Sequence, residues 1–142
     1  MIQCNKTSDE TPDYNCIAWA ARDDSNFWWP IGIPPYYWPD GVELRETIEA
    51  FTKAYETRGF KVCSNAIFED GFEKIAIYVD SANQPKHAAR QIDKNNWTSK
   101  LGSNIDISHP FINQWSQIIV NGKLYDLSSY GKLGLLMKRE NK

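Results

Sequence analysis

Cys16 lies within Asn15-Cys16-Ile17-Ala18-Trp19-Ala20-Ala21, and His87, one of only two histidines, opens His87-Ala88-Ala89-Arg90-Gln91. A thiol becomes a useful nucleophile when a base or a positive end draws off its proton, and an imidazole titrating near neutrality is the side chain best suited to that. A third segment, Trp97-Thr98-Ser99-Lys100, places a hydroxyl across a short turn from His87. There it can meet the ring and fix its tautomer. Together these types support nucleophilic attack on an acyl carbon. Cys16 is the candidate nucleophile, His87 the candidate base and Ser99 the candidate orienting residue, with Gln91, Asp106 and His109 as rivals for the third role. Cys4 in the polar N-terminal segment and Cys63 in a core-like strand compete poorly with Cys16. The plainer alternative is that Cys16 fills space in the core, as unpaired cysteines often do.

The elements that must position these residues can be read from the pattern. Residues 1–11 are polar and read as a flexible N-terminal tail, leaving 12–142 as one domain. Thr11-Pro12-Asp13 reads as a helix start that puts Cys16 in the opening turn of a buried helix. Phe27-Trp28-Trp29-Pro30 through Tyr36-Tyr37-Trp38-Pro39 is an irregular loop, broken by prolines and dense in aromatics. Asp40-Gly41-Val42-Glu43 has capping-box spacing. Leu44, Ile48, Phe51 and Tyr55 then recur at helical intervals up to Gly59. Phe60–Cys63, Glu73–Val79, His87–Ile92 and Trp97–Leu101 read as strands, the last three as an antiparallel meander. Asp106-Ile107-Ser108-His109-Pro110 is a polar cluster that could begin a helix. Asn121-Gly122 is a hairpin signal, and Leu133–Lys138 closes the chain as helix or strand. The expected fold is α+β, with an N-terminal helix packed on a small antiparallel sheet.

Composition excludes several classes. The 142 residues carry a net charge of −2 with no large basic run, which offers no electrostatic pull toward nucleic acid. No stretch approaches the length of a membrane span, and the start lacks the apolar core of a secretory signal. The three cysteines are too few and odd in number for a disulfide framework, which points to a reducing, cytoplasmic setting. Export by a signal-independent route would leave no mark on these features. Two histidines and scattered carboxylates show no zinc-ligand spacing, and there is no glycine-rich phosphate loop or Gly-x-Ser-x-Gly elbow. No metal or cofactor is expected. The aromatic content of 13% leaves Trp19, Trp28, Trp29, Trp38 and Trp97 as candidate substrate-binding residues, or as an aromatic clasp over the core. Nothing in the pattern dictates an oligomeric state.

The blocks Asn15–Ala20, Trp28-Trp29-Pro30, Tyr37-Trp38-Pro39, Gly71–Tyr78, His87–Gln91, Trp97–Gly102 and Asp106-Ile107-x-His109 resemble an uncharacterised family of small bacterial domains. More distantly, the order of helix-borne Cys, strand-entry His and polar residue on the next strand is similar to the papain-like superfamily, its NlpC/P60 and amidase-type branch above all. That resemblance implies a papain-like fold and hydrolysis of amide or acyl bonds in a peptide or protein substrate. Cys16 would be nucleophile, His87 base and Ser99 orienting residue, and a protein deamidase, toxin or effector role would follow. The sequence departs from that pattern in its orienting serine and in Ile17 and Ala18 after the nucleophile. The alternative from another class is a non-catalytic, immunity-like module that binds a protein partner through the Trp/Tyr/Pro loop.

Overall fold

The computed structural model describes residues 2–102 and 104–141. Its elements are, in chain order, β1 (Ile2–Ser8), α1 (Cys16–Ala20), β2 (Phe27–Trp28), β3 (Tyr36–Tyr37), α2 (Ile48–Glu56), β4 (Lys61–Cys63), β5 (Phe72–Val79), β6 (Pro85–Gln91), β7 (Trp97–Lys100), β8 (Asp106–His109), β9 (Gln117–Val120), β10 (Lys123–Asp126), a single 3-10 turn (Ser128–Tyr130) and β11 (Lys132–Glu140). Among the described residues nine strands join one mixed sheet in the order β10-β9-β1-β8-β7-β6-β5-β11-β4. The β1–β9 pair is parallel and its other pairs are antiparallel.

This overturns the expected α+β papain-like architecture with a helix on a small sheet. The protein is sheet-dominated, with helices of only five and nine residues. The largest error lies at the N-terminus. The segment read as a tail is β1, inserted between β9 and β8, with Cys4 opposite Val120 and Asn5 opposite Ser108. Gln3, Asn5 and Lys6 stay exposed. The strand is therefore held by backbone pairing on both edges rather than by side-chain burial, and polarity hides it.

Strand parity sorts the core into two clusters. Ile75, Ile77, Ala88 and Met137 face one side, where α1, Phe51 and Tyr55 of α2, and Trp28 cover them. Ala76, Tyr78, Ala89, Trp97 and Ile107 face the other, under Ile112, Trp115 and Ile118. Burial on both faces explains why β5 reads as a nearly continuous apolar run. Its one buried cation, Lys74, is held by Asn65 Oδ1 at 2.9 Å and Glu69 Oε2 at 2.7 Å.

Other boundaries moved for local reasons. α1 starts at Cys16, because Asn15 is the cap whose Oδ1 accepts the Ala18 N–H. α2 begins at Thr47–Ile48, not at Asp40. Thr47 Oγ1 takes the Ala50 N–H, and Leu44 stays 53% exposed in the preceding loop. The Asn121-Gly122 hairpin forms, with both residues at positive φ. Residues 106–109 are a strand rather than a helix start, and the closing segment is the strand β11.

Candidate thiol and imidazole site

Asn15 builds the start of α1. Its Oδ1 accepts from Ala18 N–H and Trp28 N–H, while its Nδ2 donates to Trp28 O at 2.8 Å. One buried amide thus ties the helix start to the aromatic loop and fixes Cys16 as the first helical residue. A helix of five residues adds little dipole. Cys16 is 7% exposed. Burial pushes its thiol up to about 11, against hydrogen bonds from the backbone N–H groups of Ala88, Ile17 and Cys16 itself and the charge of Lys100. At neutral pH it is a covered, protonated thiol.

The Ala88 N–H contact rests the sulfur against the backbone of β6, one residue along from His87. It does so where β6 parts from β7, since those strands pair only at Arg90–Thr98 and Gln91–Trp97. By register His87 shares a face with Tyr78, and Ala88 shares the opposite face with Ile77. Cys16 packs in the cluster of Ile77 and Ala88. No hydrogen bond joins Cys16 Sγ to His87 among the described residues, so the direct pair expected from the sequence is not formed in this state.

His87 and Ser99 do come together. Ser99 Oγ lies 2.9 Å from His87 Nε2 and 2.7 Å from His109 Nε2, and His109 Nδ1 lies 2.7 Å from Pro110 O. A carbonyl only accepts, so His109 Nδ1 carries a proton and donates it. Burial drives His109 down to about 4, partly offset by that carbonyl bond. The ring is neutral at pH 7, and its Nε2 accepts from the Ser99 hydroxyl. Ser99 oxygen then accepts from His87 Nε2–H, which leaves the lone pair on His87 Nδ1. That Nδ1 is buried and has no partner among the described residues. Burial, with the nearby His109, holds His87 well below its ordinary pKa.

Aromatic rings enclose this chain. Tyr130 lies flat on the His87 ring at 4.1 Å and 3°, and Trp115 meets it edge-on at 4.9 Å. Tyr130 is only half-buried and belongs to a short surface turn, so it is the cover between imidazole and solvent. The sequence offers His109 as a rival to Ser99, whereas the two lie in one hydrogen-bonded chain with His87. It missed Tyr130 and Trp115, which no local spacing relates to His87.

The candidate substrate-binding aromatics mostly turn into the core. Trp28 is fully buried, and its Nε1 donates to Asp23 Oδ2 at 2.8 Å. Trp38 donates to Glu43 O and packs on Phe51, as does Trp29. Trp97 is buried against Phe111. Trp19 is half-buried, donates to Thr98 Oγ1 at 3.0 Å and lies under the Arg90 guanidinium. What the loop exposes is mostly aliphatic, with Ile33 at 61% and Tyr36 as the exposed aromatic. Among the described residues no group of three His, Cys, Asp or Glu is placed to hold a metal ion. No helix there is long and apolar enough to cross a membrane.

No curated protein and no solved structure matches the chain. One family model does match, over residues 5–138. Its span runs from within β1 almost to the end of β11 and includes every residue of the thiol and imidazole site, while its description carries no activity. The chain belongs to the family described as Domain of unknown function (DUF7689).

Proposed function

We propose that the protein is a cysteine-dependent acyl hydrolase or acyl transferase acting on an amide or thioester carbonyl of a peptide or protein. The observation that carries this reading is the buried, unpartnered Nδ1 of His87. Ser99, His109 and Pro110 fix the opposite side of that ring. Leaving such an acceptor without a partner costs roughly 1–3 kcal/mol, and a proton-accepting role is a reason to keep it.

The chemistry runs by general base catalysis, since thiol and imidazole are both neutral at rest. The reaction needs an opened state, where β6 and β7 part far enough for the thiol to leave the Ala88 N–H and reach Nδ1. There the thiol gives up its proton as sulfur bonds to the carbonyl carbon and the carbonyl π electrons move to oxygen. His87, now cationic, keeps its Nε2–H on Ser99. It returns the Nδ1 proton to the leaving amine or thiolate as that bond breaks. Water then attacks the resulting thioester, delivers a proton through His87 and regenerates the thiol, whereas in a transferase a second nucleophile replaces water. Deamidation of a glutamine side chain follows the same steps. Access requires Tyr130 to lift from the ring.

The test is acylation by p-nitrophenyl acetate, read by peptide mass spectrometry. The expected result is an acetyl adduct on Cys16, formed about 100-fold or more slowly in His87→Ala, the usual scale of lost general base catalysis. No adduct on Cys16, or one indifferent to His87, would overturn the reading.

A second reading is favoured by the covered thiol and by the exposed Ile31, Ile33, Tyr36 and Leu44. Leu44 lies against Gly32, the residue between Ile31 and Ile33 in the chain, since a Cβ at Gly32 would meet Leu44 Cδ1 at 2.9 Å. In that case the protein is a non-catalytic module that binds a protein partner through the aromatic loop, and Cys16 and His87 are core residues. The acylation experiment separates the two.

A further inference from the structure

The chain has a net charge of −2, yet one groove of ≈ 680 Å³ is lined by Arg22, Arg58, Lys61 and Arg139 against Glu73 and Glu140. Four cations to two anions leave it with a net charge of +2. Its size falls within the roughly 300–1,000 Å³ of small-molecule pockets.

The cations are positioned rather than loose. Glu73 accepts from Arg22 Nη1 at 2.9 Å and from Arg139 Nε at 2.7 Å. Burial pushes the Glu73 carboxyl up, but the bonds from Arg139 and Arg22 outweigh it and hold it below the ordinary range. Glu73 is therefore an anchor that fixes two guanidinium groups while the charge of only one is neutralised. Arg139 also lies over Phe60 at 4.3 Å and donates Nη1 to Arg58 O. Arg58 is the open member. Its guanidinium sits 4.8 Å from the Trp28 ring and 5.8 Å from Tyr37, and its Nη2 lies 3.8 Å from Asp23 Oδ2, beyond hydrogen-bond length. An aromatic backing orients the fork without using its N–H donors, which is the arrangement suited to bidentate recognition of an oxyanion.

We propose that this groove binds a phosphate monoester on a small molecule, with Arg58 and Arg139 as forks and Lys61 as a point charge. The lining charge of +2 is partly offset by Asp23 beside Arg58. A phosphate monoester, at about −1.5 to −2, takes up the remainder while offering three oxygens to the two forks and Lys61, where a carboxylate offers two. The site follows the C-terminal end of α1, with Arg22 just past the Ala21 cap, while Cys16 is the first residue of that helix. It stands independently of the thiol chemistry.

The experiment is calorimetric titration of the full chain at fixed ionic strength with phenyl phosphate, inorganic phosphate and succinate. Saturable binding of phenyl phosphate is expected, tighter than that of either other anion. Arg58→Gln and Lys61→Gln should each weaken it about tenfold or more, as loss of a charge-assisted hydrogen bond does. Lys61 belongs to an exposed edge strand, so its variant tests the site even if Arg58→Gln disturbs the packing on Trp28. Four results would overturn the assignment: no saturable binding of phenyl phosphate, binding unchanged in Lys61→Gln, succinate binding as tightly, or inorganic phosphate displacing the ester at equal concentration.

Discussion

Lowering the pH from 8 to 5.5 should remove about 3 kcal/mol of stability through the two buried histidines alone. Both are sealed, His87 at 0% exposure and His109 at 3%. Burial takes His109 down to about 4 despite the Pro110 carbonyl, and burial with the neighbouring His109 takes His87 well below its ordinary value. In the unfolded chain each returns to about 6.5. A depressed folded pKa means that the unfolded chain binds more protons below 6.5. The stability is therefore fully present above that value and falls as pH drops toward the folded pKa. One unit below 6.5 each histidine costs about 1.4 kcal/mol, so the pair costs about 3, a large part of the usual 5–15 kcal/mol. Glu73 and Asp23, whose carboxyls are held low by their hydrogen-bonding partners against burial, lose their contribution only below about 4. The interval from pH 8 to 5.5 thus isolates imidazole. Urea unfolding followed by tryptophan fluorescence at pH 8, 6.5 and 5.5 measures the effect, and His109→Gln should halve it. Equal unfolding free energies at pH 8 and 5.5, or NMR titration of His109 near 6.5, would refute the reasoning.

Ser99→Ala leaves the Nε2 atoms of both histidines without their shared partner and should cost about 2–4 kcal/mol, read by urea unfolding at pH 8. Gly131→Ala should destabilise by more than about 3 kcal/mol, because its Cβ would come 1.9 Å from Val79 O at a φ of +84°. Gly41→Ala, at φ +81° with nothing within 4 Å, should cost only about 1–2 kcal/mol, and calorimetry of the pair separates clash from backbone strain. Tyr130→Ala removes the ring stacked on His87 and should speed modification of His87 by diethyl pyrocarbonate at about pH 7 by about tenfold or more. An unchanged rate would show that Tyr130 is not the cover.

The legible part of the fold was the part written in side chains. Glu73–Val79 and the Asn121-Gly122 hairpin follow from β-rich runs and turn chemistry, and both form, the strand as Phe72–Val79. What stayed hidden is held by backbone. In β1 only Cys4 is buried, so Ile2–Ser8 shows no apolar alternation, and its parallel partner β9 lies more than a hundred residues away in the chain. The tail reading, and with it the small-sheet architecture, failed there. At the site, Ser99 could be linked to His87 because a hairpin brings them together. The step from Ser99 to His109 needs the β7–β8 register, and the stack of Tyr130 on His87 needs tertiary packing. The aromatic loop misled in its own way, since tryptophans that suggest a binding surface mostly turn inward, where Asp23 and the Glu43 carbonyl satisfy their indole N–H groups.

The most direct test of the central claim is the rate of Cys16 alkylation by iodoacetamide between pH 7 and 9.5, in wild type and His87→Ala, with each cysteine followed by peptide mass spectrometry. A thiol that passes its proton to a neutral imidazole reacts at a rate set by the net-neutral pair, so the wild-type profile should be flat between the imidazole and thiol pKa values. Without the imidazole, a thiol raised to about 11 should react about tenfold faster for each pH unit. A flat wild-type profile that becomes this steep line in His87→Ala is the predicted result. Two identical steep lines would contradict it and leave Cys16 as an unassisted core thiol.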